Sequence, residues 1–343
     1  MRPHPPHARR HATALAVAAA LAVLVLALVL PRPHTDGRPG RGAAQPLPEG
    51  TSIVRPADGL GTAVAGYGDV WIDDRADDHL LRVRSPDGRV LARIPTRGRV
   101  ALAVGAGGVW ALQSSRGFGP YLRGPVLHVD PRTNRVRARV ALRAPSGDGV
   151  LGIGVIVDRD RVWVWGPRDI LRIDPRADRV AQRIRVDDRH GDLTSLAARG
   201  GRLIAASADG TLQRIDARTG AFRGATRMPF IDPQIRASVG SRLVITSRGV
   251  LAAIEPGTGR VAWSRRLGFR AGSVVHAYGL LWTHSADFHE PGDRLSGFDP
   301  ATGERVTTSF LPAFGTTGIV SVRGRLLAPT SSGRLLVITP LVL

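Results

Sequence analysis

The chain has 343 residues, with 41 Gly, 25 Pro and no Cys, which excludes a disulfide framework, a thiolate-bound zinc or iron–sulfur centre, a thiol nucleophile and a lipid-modified cysteine. All 48 basic residues are arginine against 28 acids, a net charge of +20, and a field of that size favours anionic partners. The arginines are dispersed, with no dense basic run and no nucleic-acid-binding signature, so the partner expected is not a nucleic acid.

Residues 1–11 carry Arg2, Arg9 and Arg10 ahead of an uncharged apolar run at 12–30. As a helix, that run spans about 28 Å, close to a bilayer core. The positive charge before it places the N-terminus in the cytoplasm and everything downstream outside. The expectation is a single-pass signal-anchor in the cell membrane; the alternative is a cleaved signal peptide and a secreted protein. A signal peptide is disfavoured because the run is long and is followed by Leu30-Pro31-Arg32-Pro33 rather than a small-residue cleavage site. Residues 31–50 hold five Pro and four Gly without apolar periodicity and read as a semi-extended linker.

From residue 51 onward a unit of similar grammar recurs. Its matching positions are Trp71, Trp110, Trp163, Ile204, Val244, Trp282 and Leu327, at intervals of 39, 53, 41, 40, 38 and 45 residues. Each unit opens with an inner strand such as TAVAG (62–66), ALAVG (101–105) or SVVHA (273–277). A tight turn leads to the second strand, and the third strand ends in a turn of Asp-Pro-x-Thr-Gly type: DPRTN (130–134), DPRAD (174–178), DARTG (216–220), EPGTG (255–259), DPATG (299–303). Asp bonding its own backbone, Pro fixing φ and Gly or Asn taking φ > 0 is hairpin chemistry. Outer strands such as RVRARV (135–140) alternate apolar residues with Arg, so part of the positive charge is a solvated edge that resists edge-to-edge pairing. All-strand repeats of this length predict a propeller with one four-stranded blade per repeat. The seventh unit stops after its third strand, LLVITP (335–340), while TSIVRP (51–56) is a spare strand before the first. The expected fold is therefore an all-β, seven-bladed β-propeller over 51–343, monomeric, closed by an N-terminal strand and preceded by one transmembrane helix.

These turns and the Gly-x-Val-Trp strands resemble YVTN-type and quinoprotein-like β-propeller repeats across nearly all of 51–343. The most specific segment, LAAIEPGTGRVAWSRRL (251–267), is similar to the pyrroloquinoline-quinone repeat pattern. The resemblance implies that Trp263 docks between blades. It does not imply a bound quinone, because such sites use a vicinal Cys pair or an equivalent stacking group, and no cofactor is expected.

Function is expected on the face bearing the loops between second and third strands. Those loops read as enlarged in blades one (72–80), two (113–125) and six (283–293), which are near neighbours around a closed ring. Blade two offers Arg116, Phe118, Tyr121 and Arg123 as a ligand-stacking platform. Blade one offers Asp73, Asp74, Asp77, Asp78 and His79, and blade six offers His284, Asp287 and His289, as donors for a divalent metal, although no standard metal spacing is present. The function expected is a non-catalytic binding or scaffolding module for an envelope polymer or protein. The alternative is a metal-assisted lyase or hydrolase resembling the streptogramin-inactivating propeller lyases, with His276, His284 and Glu290 as base and ligands.

Overall fold

A computed structural model describes residues 50–113, 124–142, 153–285, 293–311 and 315–339. These residues form seven four-stranded antiparallel sheets, each running inner to outer in chain order except the last. In that sheet the outermost strand is Thr51–Val54, paired with Leu335–Ile338, so the spare N-terminal strand completes blade seven. The inner strands touch one another in cyclic order, blade seven meeting blade one, which closes the ring. Among the described residues no helix is long and apolar enough to cross a membrane, and the expected span at 12–30 lies outside them.

The strand period explains how the ring packs. Successive side chains on a strand face opposite sides of the sheet, so each blade feeds two interfaces. Trp110 enters the cluster between blades two and three, whereas its neighbours Val109 and Ala111 enter the one between blades one and two. All seven matched positions are buried and point toward the following blade. Each also pairs with an equivalent inner-strand residue, for example Trp71 with Val64, Trp110 with Ala103 and Trp282 with Val275. Three of the tryptophans donate Nε1–H to the carbonyl five residues earlier, at the turn before their own strand: Trp71 to Gly66 (3.3 Å), Trp110 to Gly105 (3.1 Å) and Trp282 to Ala277 (3.1 Å). Those turns are two-residue loops with both central residues at positive φ, as in Tyr67-Gly68 (54° and 83°) and Tyr278-Gly279 (53° and 74°).

The Asp-Pro turns form as expected. Asp130, Asp174, Asp216 and Asp299 each accept the amide two residues on, at 2.7–3.0 Å. These turns do more than reverse the chain: basic side chains of one blade grip the turn of the next. Arg82 in blade one bonds Pro131 O (2.6 Å) and Asn134 Oδ1 (2.9 Å), while Asp69 holds its Nε at 2.7 Å. His128 in blade two, stacked on Trp110 at 4.0 Å, meets Asp178 Oδ1 at 2.6 Å. Arg214 reaches Gly257 O (2.9 Å), Arg242 reaches Ala301 O (3.2 Å) and Arg325 reaches Pro86 O across the closure (2.7 Å). Part of the arginine excess is thus inter-blade fastening.

Trp263 takes the place its resemblance implied. It is buried, donates to Pro300 O at 3.0 Å, and lies so close to Gly303 that a Cβ there would stand 2.4 Å from the indole. Gly303 also has φ +72°. Gly303→Ala is therefore expected to cost about 2–3 kcal/mol, combining backbone strain with overpacking. A urea-unfolding midpoint unchanged by the substitution would refute this coupling.

One expectation about the loops is corrected. The blade-one segment 72–80 is not an enlarged loop. Asp73 and Asp74 end the second strand, Asp69–Asp74, and His79 begins the third, His79–Val83, leaving a four-residue turn at 75–78. Both carboxylates are engaged locally: Asp74 Oδ1 accepts the Ala76 and Asp77 amides, and Arg75 reaches one oxygen of Asp73.

Candidate functional site

The upper face carries the turns between second and third strands and the connections from each outer strand to the next inner one. The platform residues Arg116, Phe118, Tyr121 and Arg123 lie outside the described residues, as do Asp287, His289 and Glu290. The remaining candidates do not converge. Among the described residues no group of three or more ligating side chains forms. Asp73 and Asp74 are adjacent strand residues, with Asp73 held by Arg75 (3.3 Å) and Asp74 by its turn and Arg93 (3.4 Å).

His284 is a satisfied core histidine. It is 1 % exposed; its Nε2 accepts the Ser273 amide at 3.2 Å, and its Nδ1–H is directed at Ser285 O at 2.9 Å. Burial pushes its pKa below the ordinary imidazole value, so the ring stays neutral. Gly272 lies where a Cβ would stand 2.1 Å from Nε2, which explains the glycine. His276 is exposed further down the inner strand, paired with Leu281 near the opposite face, whereas His284 sits against Gly272 and Ser273. Four residues of strand separate Gly272 from His276, about 13 Å. The two histidines therefore do not form one catalytic pair.

The ring's upper rim is instead built from hydroxyls. Thr62 Oγ1 donates to Val100 O (2.7 Å), Thr194 Oγ1 to Pro233 O (2.5 Å) and Thr317 Oγ1 to Gly61 O (2.7 Å), while Ser273 Oγ accepts the Ile319 amide (2.7 Å). Each of these bonds links the inner strand of one blade, or the approach to it, with the neighbouring blade. Blade five departs from this pattern. Its inner strand, Gln234–Val239, is bulged between Ile235 and Ala237, as the inner strands of blades one, four and six are bulged, but the residue carried there is Arg236 rather than a hydroxyl.

Around Arg236 opens a cavity of about 620 Å³, whose lining includes Asp232, Gln234, Thr246, Arg248 and Arg270. Arg236 is an exposed residue of the inner strand, and its Nε donates to Thr246 Oγ1 at 3.1 Å. Desolvation draws its pKa below the usual arginine range. Arg248 pairs with Asp232 at 3.1 Å. The described lining thus brings three guanidinium groups, Arg236, Arg248 and Arg270, to one cavity, with Asp232 paired to Arg248. Sequence reading passed over this site because its residues come from three separated segments. One signal was present: IRASVG places an arginine where the other inner strands carry small, hydroxyl or apolar residues.

Residues 224–341 match the family described as outer membrane protein assembly factor BamB. That stretch covers blades five to seven, including the segment singled out for its quinone-type repeat and the whole blade-five cavity. The described residues thus form a seven-bladed propeller whose last three blades are similar to a PQQ-like repeat family. No curated protein sequence matches this propeller. Among solved structures, BamB from Moraxella catarrhalis is similar with 16% identity and a TM-score of 0.53, covering 81% of each chain. U3-55K is similar with 12% identity and a TM-score of 0.68, covering 84% of this chain and 98% of that one. The WD40 propeller domain of Doa1 is similar with 11% identity and a TM-score of 0.66, covering 84% and 97%. At these identities the likeness is one of fold, which WD40 and PQQ-like propellers share.

Proposed function

We propose that this PQQ-like propeller is a non-catalytic binding or scaffolding module, anchored through residues 12–30 and working outside the cytoplasm on an envelope polymer or protein. The observation that carries the reading is the match of residues 224–341 to a family described as an outer-membrane protein assembly factor. Physical features agree with it. A ring fastened blade to blade is a rigid platform, and rigid platforms with variable loops serve recognition. The segment 51–343 holds 42 arginines against 26 acids, a charge of +16 suited to an anionic surface. His284, turned inward and hydrogen-bonded at both nitrogens, offers no base to a substrate on the face.

The test is affinity capture with the full-length chain from detergent-solubilised envelopes, at low and at moderate salt. The expected result is a small set of envelope components whose recovery falls as salt screens the positive field. Recovery of nothing above a charge-matched control would sink the scaffold reading. The anchor is tested separately. Alkaline extraction should leave the chain in the membrane with its N-terminus intact, and a mature N-terminus beginning within the linker would assign it to the secreted class instead.

A further inference from the structure

We infer that the blade-five cavity is a binding site for a phosphate group, presented either as free phosphate or as a phosphate ester. The inference rests on the reading of the upper face as a recognition surface and assigns its ligand chemistry. The case starts from Arg236. Among the described residues its one hydrogen bond is the Nε contact to Thr246, and none of their carboxylates pairs with it. A planar guanidinium fixed at Nε directs its two terminal nitrogens outward as a fork that matches two oxygens of an oxyanion. Thr246 is itself almost fully buried, 6% exposed, so the guanidinium is held by the body of the blade rather than by a loop.

The second element is the surrounding donor set. Gln234 lies on the same strand, paired with Thr246, and Arg270 and Arg248 enter from the following connection and the blade-five turn. Arg248 is tethered by Asp232, which positions this edge of the cavity. Donors arriving from several directions suit a tetrahedral anion better than a flat carboxylate, which a single guanidinium fork satisfies. The third element is size. A space of about 620 Å³ exceeds what an inorganic ion needs and leaves room for the group that bears the phosphate. Nothing in the fold requires this arrangement: the inner strands of blades one, four and six meet their neighbours through hydroxyls at the corresponding place.

The experiment is isothermal titration calorimetry of the full-length chain in a non-ionic detergent at pH 7.5 and fixed ionic strength. The probes are inorganic phosphate, glycerol 3-phosphate and, as a carboxylate comparison, glutarate. Saturable binding of the phosphate probes is expected, weakened about tenfold or more by Arg236→Gln, the loss of one charge-assisted bond. Arg236→Lys should recover only part of it, since the charge returns without the fork. Arg270→Gln supplies an independent variant should Arg236→Gln fail to fold, and it too should weaken binding severalfold. Tighter binding of glycerol 3-phosphate than of phosphate would identify an ester as the ligand; the reverse order would identify the free anion. Absence of saturable binding, equal binding of glutarate, or indifference to folded variants at both arginines would overturn the inference. Envelope capture unaffected by Arg236→Gln, with phosphate binding absent, would overturn this inference alone. Phosphate binding without any captured partner would instead overturn the scaffold reading.

Discussion

Deleting Thr51–Val54 is expected to lower the unfolding free energy by roughly 4–5 kcal/mol, a large part of the 5–15 typical of folded domains. These four residues pair with Leu335–Ile338, Thr51 opposite Ile338 and Val54 opposite Leu335, and all four partners are fully buried or nearly so. About four ladder hydrogen bonds at about 1 kcal/mol each account for most of the loss. Val54 adds to it: its side chain joins the cluster between blades seven and one, against Gly88, which at φ +68° leaves just enough room for the valine methyls. A second effect follows from geometry. Without its outer strand, Leu335–Ile338 becomes an open, apolar sheet edge, the form most prone to pair with another chain. Sedimentation should therefore show concentration-dependent association of the variant and none of the parent. A urea midpoint shifted by the equivalent of less than about 1 kcal/mol would mean that the ring holds without its closing strand.

That closure was legible in the sequence for a simple reason. The repeat counts strands, and a missing strand at one end with a spare at the other has one economical solution. The turns were legible too, because Asp-Pro-x-Thr-Gly chemistry is local and period-2 alternation follows from strand geometry. What escaped were contacts whose partners lie far apart in sequence. Arg82, Arg214 and Arg325 each grip a backbone carbonyl in a neighbouring blade, and a carbonyl carries no side-chain signature. The run DDRADD misled for a different reason. Aspartate is depleted in strands, so the segment reads as loop, yet Asp73 and Asp74 are ladder residues whose carboxylates are held by Arg75, Arg93 and turn amides. His284 misled similarly: a histidine beside a loop reads as functional until its two nitrogens are both found bonded to backbone. The cavity around Arg236 required the third dimension, since a β-bulge turns that side chain and adjoining connections supply its neighbours.

Asp73→Asn is expected to stabilise the protein at neutral pH by about 2 kcal/mol, with the gain vanishing on acidification. Asp73 is fully buried, and burial raises its carboxyl pKa to about 6 from 3.8, while Arg75 and the Val100 amide pull it down and Asp74 pushes it up. One of its oxygens, Oδ1, has no hydrogen-bond partner among the described residues. Between the unfolded pKa near 3.8 and the folded value near 6, the folded chain holds a proton that the unfolded chain releases. Stability therefore falls as pH rises through that window and stays reduced above it. A difference of about two pH units corresponds to an upper bound of about 3 kcal/mol. Loss of the contact with Arg75, which is partly exposed and can turn to water, reduces the expected gain to about 2 kcal/mol. Asparagine keeps the shape and removes the charge, so the difference between variant and parent isolates this one titration from every other group. Urea-unfolding curves for both proteins from pH 4 to pH 8 should converge at the acidic end and separate progressively toward pH 7. Curves that stay parallel across the whole range would show that Asp73 does not carry a buried charge at neutral pH, and the junction of blades one and two would then owe nothing to its ionisation.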